Sequence, residues 1–558
     1  MSEFHDGALA DAAPGARLPA RARWLQLRAR WTQARVAFGR YELVFAAVIG
    51  IALAARVVDL TAKPFHHDES EHAWFAWRLV SGHGYEYNPV FHGPVQFYVI
   101  SLLYWLIGAG DVAARLAPAL VGTALIGLPY LLRRQVGSVA AFAAAALFCI
   151  SPSYLYFSRF VREDIYAACA TLALIVAIFR FIDRPRPWHP SVVLGLLAVS
   201  FAVKESTYIT VAIFAPFFVL ALLWQARRAR SLRRAPLAMT IASVGRDPWI
   251  WGIATFAAVY TLLFTTFLTN PHGLQDGLIE SIRYWLSPQP VNRGGQPPYY
   301  YLVVIPAYEW PVLLLGALGV GTVVRRPTLL GVFLIWDFVL SLALYSAAGE
   351  RMPWLVLHPM LPLVLLAGIG VQTLWTNRKA VVPRVGLVLA VLAAGWSIWT
   401  AAALAYGHPA DPRELLVFTQ TSVDVPPVRD RVFALDRYML SQRGRHLRLE
   451  VDGWSGTGWP WAWYLRDLPV AYPDMSKPEF RPTGDAFIVT EVNRPHLLPY
   501  LRGYRGHLYH LRGWWVVDYG GGSLADWWNW FAHRRQWGPL GTMDQWLYVR
   551  NGLPSRPT

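Results

Sequence analysis

Long stretches with almost no charge constrain this chain more than any other feature. Runs such as Phe45–Leu53, Leu172–Phe179, Leu313–Val320 and Leu387–Ala393 each sit inside a longer apolar segment. In hydrocarbon every backbone polar group must be satisfied internally, so segments of this kind span a bilayer as helices. Only 15% of the residues are charged and 55% are hydrophobic, where a soluble chain carries about a quarter charged. The sequence therefore predicts a polytopic α-helical membrane protein.

The net charge is +16, but its placement argues against a nucleic-acid partner. Seven arginines precede residue 41, and five more lie between Arg227 and Arg234. The pairs Arg133–Arg134 and Arg325–Arg326 flank apolar runs. Cationic segments beside spans are retained in the cytoplasm. Cys149 and Cys169, the only cysteines, fall in apolar runs, which excludes a disulfide framework and a cysteine metal site. Tyr41–Val58 is long enough to span and has no cleavage signature, so it reads as an uncleaved first helix. Val95–Gly108 is short for a crossing and is placed in the interface or as a re-entrant segment. Further spans are expected near 114–132, 138–151, 166–182, 190–203, 207–224, 248–269, 301–323, 327–346, 354–374 and 383–405. That makes about eleven transmembrane helices with the N-terminus in the cytoplasm. The loops 59–113, 152–165, 204–206, 270–300 and 347–353 then lie outside, as does the tail. The tail alternates short apolar runs with Gly/Pro breaks and reads as a C-terminal extracytoplasmic α/β domain. The expected division is 1–40, a cytoplasmic basic arm; 41–405, the transmembrane part; and 406–558, a Trp-rich domain.

The residues capable of chemistry gather on the outer side. His66-His67-Asp68-Glu69-Ser70-Glu71-His72 follows the first helix and leads into an amphipathic helix over Ser70–Val80, with Glu69, His72 and Ala76 on one face. Asp68 or Glu69 is a candidate general base, and the histidines are candidate metal ligands; a solvated loop with a helix cap is the plainer reading. Arg159, Arg162, Glu163 and Asp164 precede an apolar run. Acids at a helix start favour the dipole, whereas arginines on the outer side suit a phosphate. His92 in Phe91-His92-Gly93-Pro94 is a weaker candidate, equally explained as a packed interfacial histidine. Lys204-Glu205 reads as an ion pair or a binding element. Arg351, in Gly349-Glu350-Arg351-Met352-Pro353-Trp354, could hold a phosphate charge. The tail's eleven tryptophans suit sugar stacking, a headgroup-facing surface or a core.

These motifs and their order resemble the C-type membrane glycosyltransferase superfamily. The carriers are Asp68-Glu69, His92-Gly93-Pro94, Arg115-Leu116-Ala117-Pro118, Arg162-Glu163-Asp164 and Arg351-Met352-Pro353. The likeness is to the protein O-mannosyltransferase and aminoarabinose-transferase-like branch. Within it, His66–His72 and Gly458-Trp459-Pro460-Trp461 look most like a prokaryotic subfamily associated with flippase activity in N-glycosylation. The resemblance implies a polyprenyl-phosphate sugar donor and transfer on the outer face to a glycan, lipid or protein acceptor. It implies Asp68, with Glu69, as the catalytic carboxylate of the first loop, Asp164 as the acid of the second, and Arg351 at a phosphate-contacting position. Members often carry Lys-Pro-Pro where this chain has Gly93-Pro94-Val95; Arg159, Arg162 or Lys204 are candidates to replace that lysine.

The expectation is thus a membrane glycosyltransferase, hexosyl- or pentosyl-, at the plasma membrane. Asp68, Glu69 and Asp164 are its catalytic candidates. His67, His72, His92, Arg159, Arg162, Glu163, Lys204 and Arg351 are its binding candidates. A divalent cation is the one cofactor left open, with His66, His67 and Glu163 as candidate ligands. No nucleotide loop is found. The rival reading is a transporter or accessory protein that flips or presents lipid-linked sugars; it calls for polar residues at mid-membrane depth, where Asp337 is the clearest acid. A lipid-bound scaffold is a third.

Overall fold

The structure, a computed structural model, describes residues 39–286 and 295–554. Most of the expected basic arm therefore lies outside the described residues. Residues 40–47 open the helix Arg40–Val57, and residues from Val48 onward make one compact unit.

Each expected span coincides with a helix. Among the described residues eight helices are long and apolar enough to cross a bilayer, which makes this a multi-pass membrane protein. The expected spans at 138–151 and 190–203 are helices of 13 and 15 residues, Ser138–Ile150 and His189–Val203. At 1.5 Å per residue both are shorter than a hydrocarbon core of roughly 30 Å. Val95–Ile107 is a 13-residue helix of the same short class. The bundle's central helix is Leu357–Thr376, buried along its first two-thirds.

Two local features shape the end of this bundle nearest the tail. The amphipathic helix begins earlier than expected, at His67, and runs to Val80. His66 caps it: its ring accepts from the Asp68 N–H, while the Glu69 carboxylate accepts from the His66 N–H. Such reciprocal capping satisfies two of the donors a helix start leaves open. The second is Gly93. A Cβ there would stand 2.1 Å from the Ala202 carbonyl oxygen, so only glycine lets this loop close on the helix end. The Gly93 N–H donates to Val203 O at 3.2 Å. The neighbouring His92 takes a left-handed conformation, φ 63°.

The tail folds around a six-stranded sheet in the order β1-β5-β6-β4-β2-β3. The strands are β1 (Gln420–Thr421), β2 (Leu449–Val451), β3 (Val470–Ala471), β4 (Ala486–Thr490), β5 (Tyr504–Trp515) and β6 (Leu540–Arg550). β2 pairs in parallel with β3 and β4, while β6 runs antiparallel to β4 and β5. Buried Phe487, Val489, Leu497, Met475 and Tyr548 form its core. The expected α/β character follows from β4: all five of its residues are buried, as a strand covered on both faces requires. β5 and β6 carry an irregularity, since His510 stands opposite Asp544 but Arg512 opposite Met543. The extra residue, Leu511, is a bulge, a device that re-aims the side chains beyond it.

Candidate active site

The loops at this end of the bundle and the sheet enclose a cavity of about 570 Å³. One wall comes from the helix His67–Val80 and the loop before Asp164. It presents His67, Asp68, Glu71, His72 and Arg162, with His92 beside them. The opposite wall comes from the tail and presents Phe418, Thr419, Arg512, Trp514 and Met543. Glu350, Met352 and Trp354 close the end.

Asp68 is one of three carboxylates lining this space, with Glu71 and Glu350. It is in direct contact with Arg162 Nη1, and His67 Nε2 lies 2.8 Å from its Oδ1. Burial alone would raise the Asp68 carboxyl; His67 and Arg162 outweigh burial and hold it well below the usual carboxylate range. Arg162 also lies 3.5 Å from Asp164 and stacks its guanidinium 4.0 Å from the Trp354 ring centre. Burial would lower its pKa, but Asp68 and Asp164 raise it above the usual value. Glu71 behaves differently. Burial, then the charge of Asp68, pushes its carboxyl up to about 8.

Behind the loop wall the remaining candidates form a charged network. Lys204 Nζ is 2.7 Å from Asp164 Oδ1, and His358 Nε2 is 3.7 Å from the same oxygen. His72 Nε2 is 3.1 Å from Glu163 Oε1, which also accepts from Gln96 Nε2 at 3.1 Å. His92 Nδ1 is 2.8 Å from Glu205 Oε2, and Tyr87 donates to the other oxygen of Glu205 at 2.8 Å. Asp164, Glu163 and Lys204 thus support the wall from behind, while His72 and His92 face the cavity and are held from the network.

Three candidates are placed elsewhere. Glu69, expected as a catalytic carboxylate beside Asp68, is wholly buried. It binds the Arg115 guanidinium through both oxygens, at 2.8 and 2.7 Å. It also accepts from the His66 and Val161 N–H groups, so its lone pairs are occupied. Burial would raise its pKa, but Arg115 and then Lys63 hold it down. Successive residues on a helix start point about 100° apart, so Asp68 and Glu69 cannot share the cavity. Arg159, expected at a phosphate, donates instead to the carbonyls of Arg56, Val58 and Asp59 at 3.1, 2.5 and 2.6 Å. It caps the end of the first helix, where carbonyls lack intrahelical partners. Arg351 donates to Ser346 O at 2.9 Å and Gln296 O at 2.8 Å, and so also serves carbonyls.

The candidate metal ligands are regrouped as well. Among the described residues His66, His67 and Asp68 bring one donor atom each within 4.8 Å of one another, whereas Glu163 belongs to the His72 pair. His66 is already committed: Nδ1 accepts from the Asp68 N–H, which leaves Nε2 to donate to Phe418 O at 2.9 Å. Burial lowers its pKa well below the usual value and keeps the ring neutral. The set therefore offers an ion only His67 and Asp68 in this conformation, which does not fit a tightly held cation.

Sequence reasoning passed over Arg512, Glu71 and Glu309. Glu309 is wholly buried in the helix Tyr300–Arg325, at a residue with non-helical φ of −128°. It accepts from Ser151 Oγ at 2.6 Å and from the Ser153 N–H at 3.0 Å. The flanking Pro306 and Pro311 were the available signal for that kink.

Residues 91–267 match the protein family described as dolichyl-phosphate-mannose-protein mannosyltransferase. That range holds Arg162, Asp164 and Lys204, but neither Asp68 nor the tail. No curated protein sequence matches the chain. The structure is similar to ArnT from Cupriavidus metallidurans bound to undecaprenyl phosphate, with TM-score 0.61, 15% identity, and coverage of 85% of this chain and 96% of that one. The apo form of the same protein gives TM-score 0.61 at 14% identity, covering 84% and 95%. The apo oligosaccharyltransferase of Archaeoglobus fulgidus gives TM-score 0.53 at 13% identity, covering 88% and 76%. These likenesses span both the helical part and the tail, and at such identities they speak for architecture: the chain has the fold of the C-type membrane glycosyltransferases.

Proposed function

We propose that this protein transfers a sugar from a polyprenyl-phosphate donor to a glycan, lipid or protein acceptor at the cavity under the tail. The observation that carries this reading is Asp68. It is the ionised carboxylate on the loop wall, it faces a space large enough for a sugar phosphate and an acceptor group, and arginines stand on both sides of that space. The neighbour bound to undecaprenyl phosphate shares this architecture, which supports a donor of the same class. The reading places the N-terminus in the cytoplasm and the cavity on the outer face of the plasma membrane, in keeping with the arginine-rich segments between spans.

The reaction is an inverting single displacement. An acceptor oxygen attacks the anomeric carbon as the bond from that carbon to the phosphate oxygen breaks. The lipid phosphate leaves with the bonding electrons. Asp68 accepts a hydrogen bond from the acceptor hydroxyl and orients it. Its contact with Arg162 keeps it charged but makes it a weak base, so orientation is its larger contribution. The acceptor's proton ends on the departing phosphate. Asp164 and Lys204 hold Arg162 in place and touch no substrate.

A headgroup path through the bilayer has less support. Glu309 and Asp337, buried acids inside spans, make local bonds, Glu309 to Ser151 and Ser153 and Asp337 to Ser341 at 3.0 Å. The test is transfer of radiolabelled sugar from a polyprenyl-phosphate donor pool by the purified protein in lipid, beside Asp68→Asn. Loss of transfer with retained donor binding is expected. A folded variant that still transfers at the wild-type rate removes Asp68 from the reaction.

A further inference from the structure

Among the described residues, the cavity has one arginine that no carboxylate meets at ion-pair distance. Arg512 stands on β5 just past the bulge at Leu511, opposite Met543, and lines the space with Trp514. It is 9% exposed. Its Nη2 donates to the carbonyls of Trp459 and Gly456 at 2.9 and 3.2 Å. Its Nε is buried without a partner. Among the described residues no carboxylate pairs with it.

The acids near it are otherwise engaged. Asp68 is held by Arg162 and His67. Glu71, with its carboxyl pushed up to about 8, is mostly protonated at neutral pH. Burial, opposed by those two acids, lowers Arg512 to about 10, which still leaves it charged. A buried cation with an open donor and no counter-ion is costly to keep. The carbonyls of Gly456 and Trp459 nevertheless hold its guanidinium in the cavity wall.

We propose that Arg512 is the cavity's oxyanion site, its guanidinium taking a phosphate oxygen of the ligand. The tail thereby completes the site. Arg162, saturated by Asp68 and Asp164, positions the carboxylate instead of binding the phosphate. A phosphate group is the shared chemistry; its carrier is the lipid-linked donor if the transferase reading holds. Oxyanion binding itself does not need that reading, because it is measured without transfer.

The experiment is equilibrium binding of undecaprenyl phosphate, and separately of inorganic phosphate, to the full-length protein in lipid nanodiscs. Wild type is compared with Arg512→Gln and Arg512→Lys, and melting temperatures are recorded for all three. Removing a charged donor weakens phosphate binding by about 10- to 100-fold. The expected result is that loss for Arg512→Gln, with partial recovery in Arg512→Lys and growing weakness of wild-type binding as salt rises. Loss of inorganic phosphate binding alone supports the oxyanion site but assigns it to a phosphate other than the donor's. A Gln variant that melts like wild type and binds both probes within twofold of it overturns the proposal. Should transfer be absent in every form while Arg512-dependent binding persists, the transferase reading falls and the oxyanion site stands.

Discussion

The two walls of the cavity are built on opposite plans. On the loop wall nearly every charge has a partner: Asp68 with Arg162, Asp164 with Lys204, Glu163 with His72, Glu69 with Arg115. On the tail wall Arg512 stands beside Trp514 and Met543, with no carboxylate at ion-pair distance among the described residues. The ion pairs of the loop wall are buried, so removing one partner strands the other. The tail wall is held by its sheet, so a side chain there can change with little cost to the fold. Substitutions on the loop wall should therefore cost stability, least at Asp68, whose partner Arg162 also has Asp164, and those on the tail wall should cost binding.

The sharpest test of that contrast is Asp68→Asn, which is near-isosteric. Transfer should fall by about 10²-fold, the cost of losing the orientation of a reacting group, in a radiolabel assay, with a smaller drop in melting temperature than a fully stranded partner gives, because Arg162 keeps Asp164. Glu69→Gln, one residue away, should do the reverse. It leaves the buried Arg115 uncompensated, at a cost of about 3–5 kcal/mol, read as a large drop in melting temperature and folded yield. If Glu69→Gln melts normally and only activity is lost, the assignment of Glu69 to the scaffold fails. Arg159→Gln should lower stability by about 1 kcal/mol, as loss of a helix cap does. The Michaelis constant for donor should stay within about twofold, since Arg159 serves carbonyls and losses of that size are small in binding terms.

The last expected effect is a pH dependence. Glu71 titrates at about 8 in the folded state against a reference of 4.5. Between these values the folded protein binds more protons than the unfolded one. Its contribution to stability is therefore fully present below about 4.5 and is lost as pH rises through about 8. Glu71→Gln should flatten the fall in melting temperature between pH 5 and 8. An unchanged slope would mean that Glu71 is not held in its neutral form.

The cavity's halves also differ in how far they can be read in advance. The loop wall is largely written in local sequence. Asp68, Arg162 and Asp164 stand beside apolar runs whose length and composition fix them near one membrane face, and the helices deliver them to one place. The same local signal misled at Glu69 and Arg159. A carboxylate next to Asp68 looks like a second catalytic acid until helix geometry turns it inward to Arg115. An arginine three residues before Arg162 looks like a phosphate ligand until the end of the first helix presents its carbonyls. Nothing in either side chain's chemistry distinguishes these fates.

The sequence by itself determined the membrane class, the helical order and the α/β character of the tail. Those depend on hydrophobic runs, alternation and Gly/Pro breaks, which are properties of neighbouring residues. Only the tertiary structure decided which charges are spent on each other and which is left for a ligand. Pairing depends on distances between loops far apart in the chain and, for Arg512, on a single extra residue at Leu511 that resets the register of β5 against β6. A one-residue shift changes where the side chains beyond it point, and no local pattern around Arg512 reveals that it ends beside Asp68.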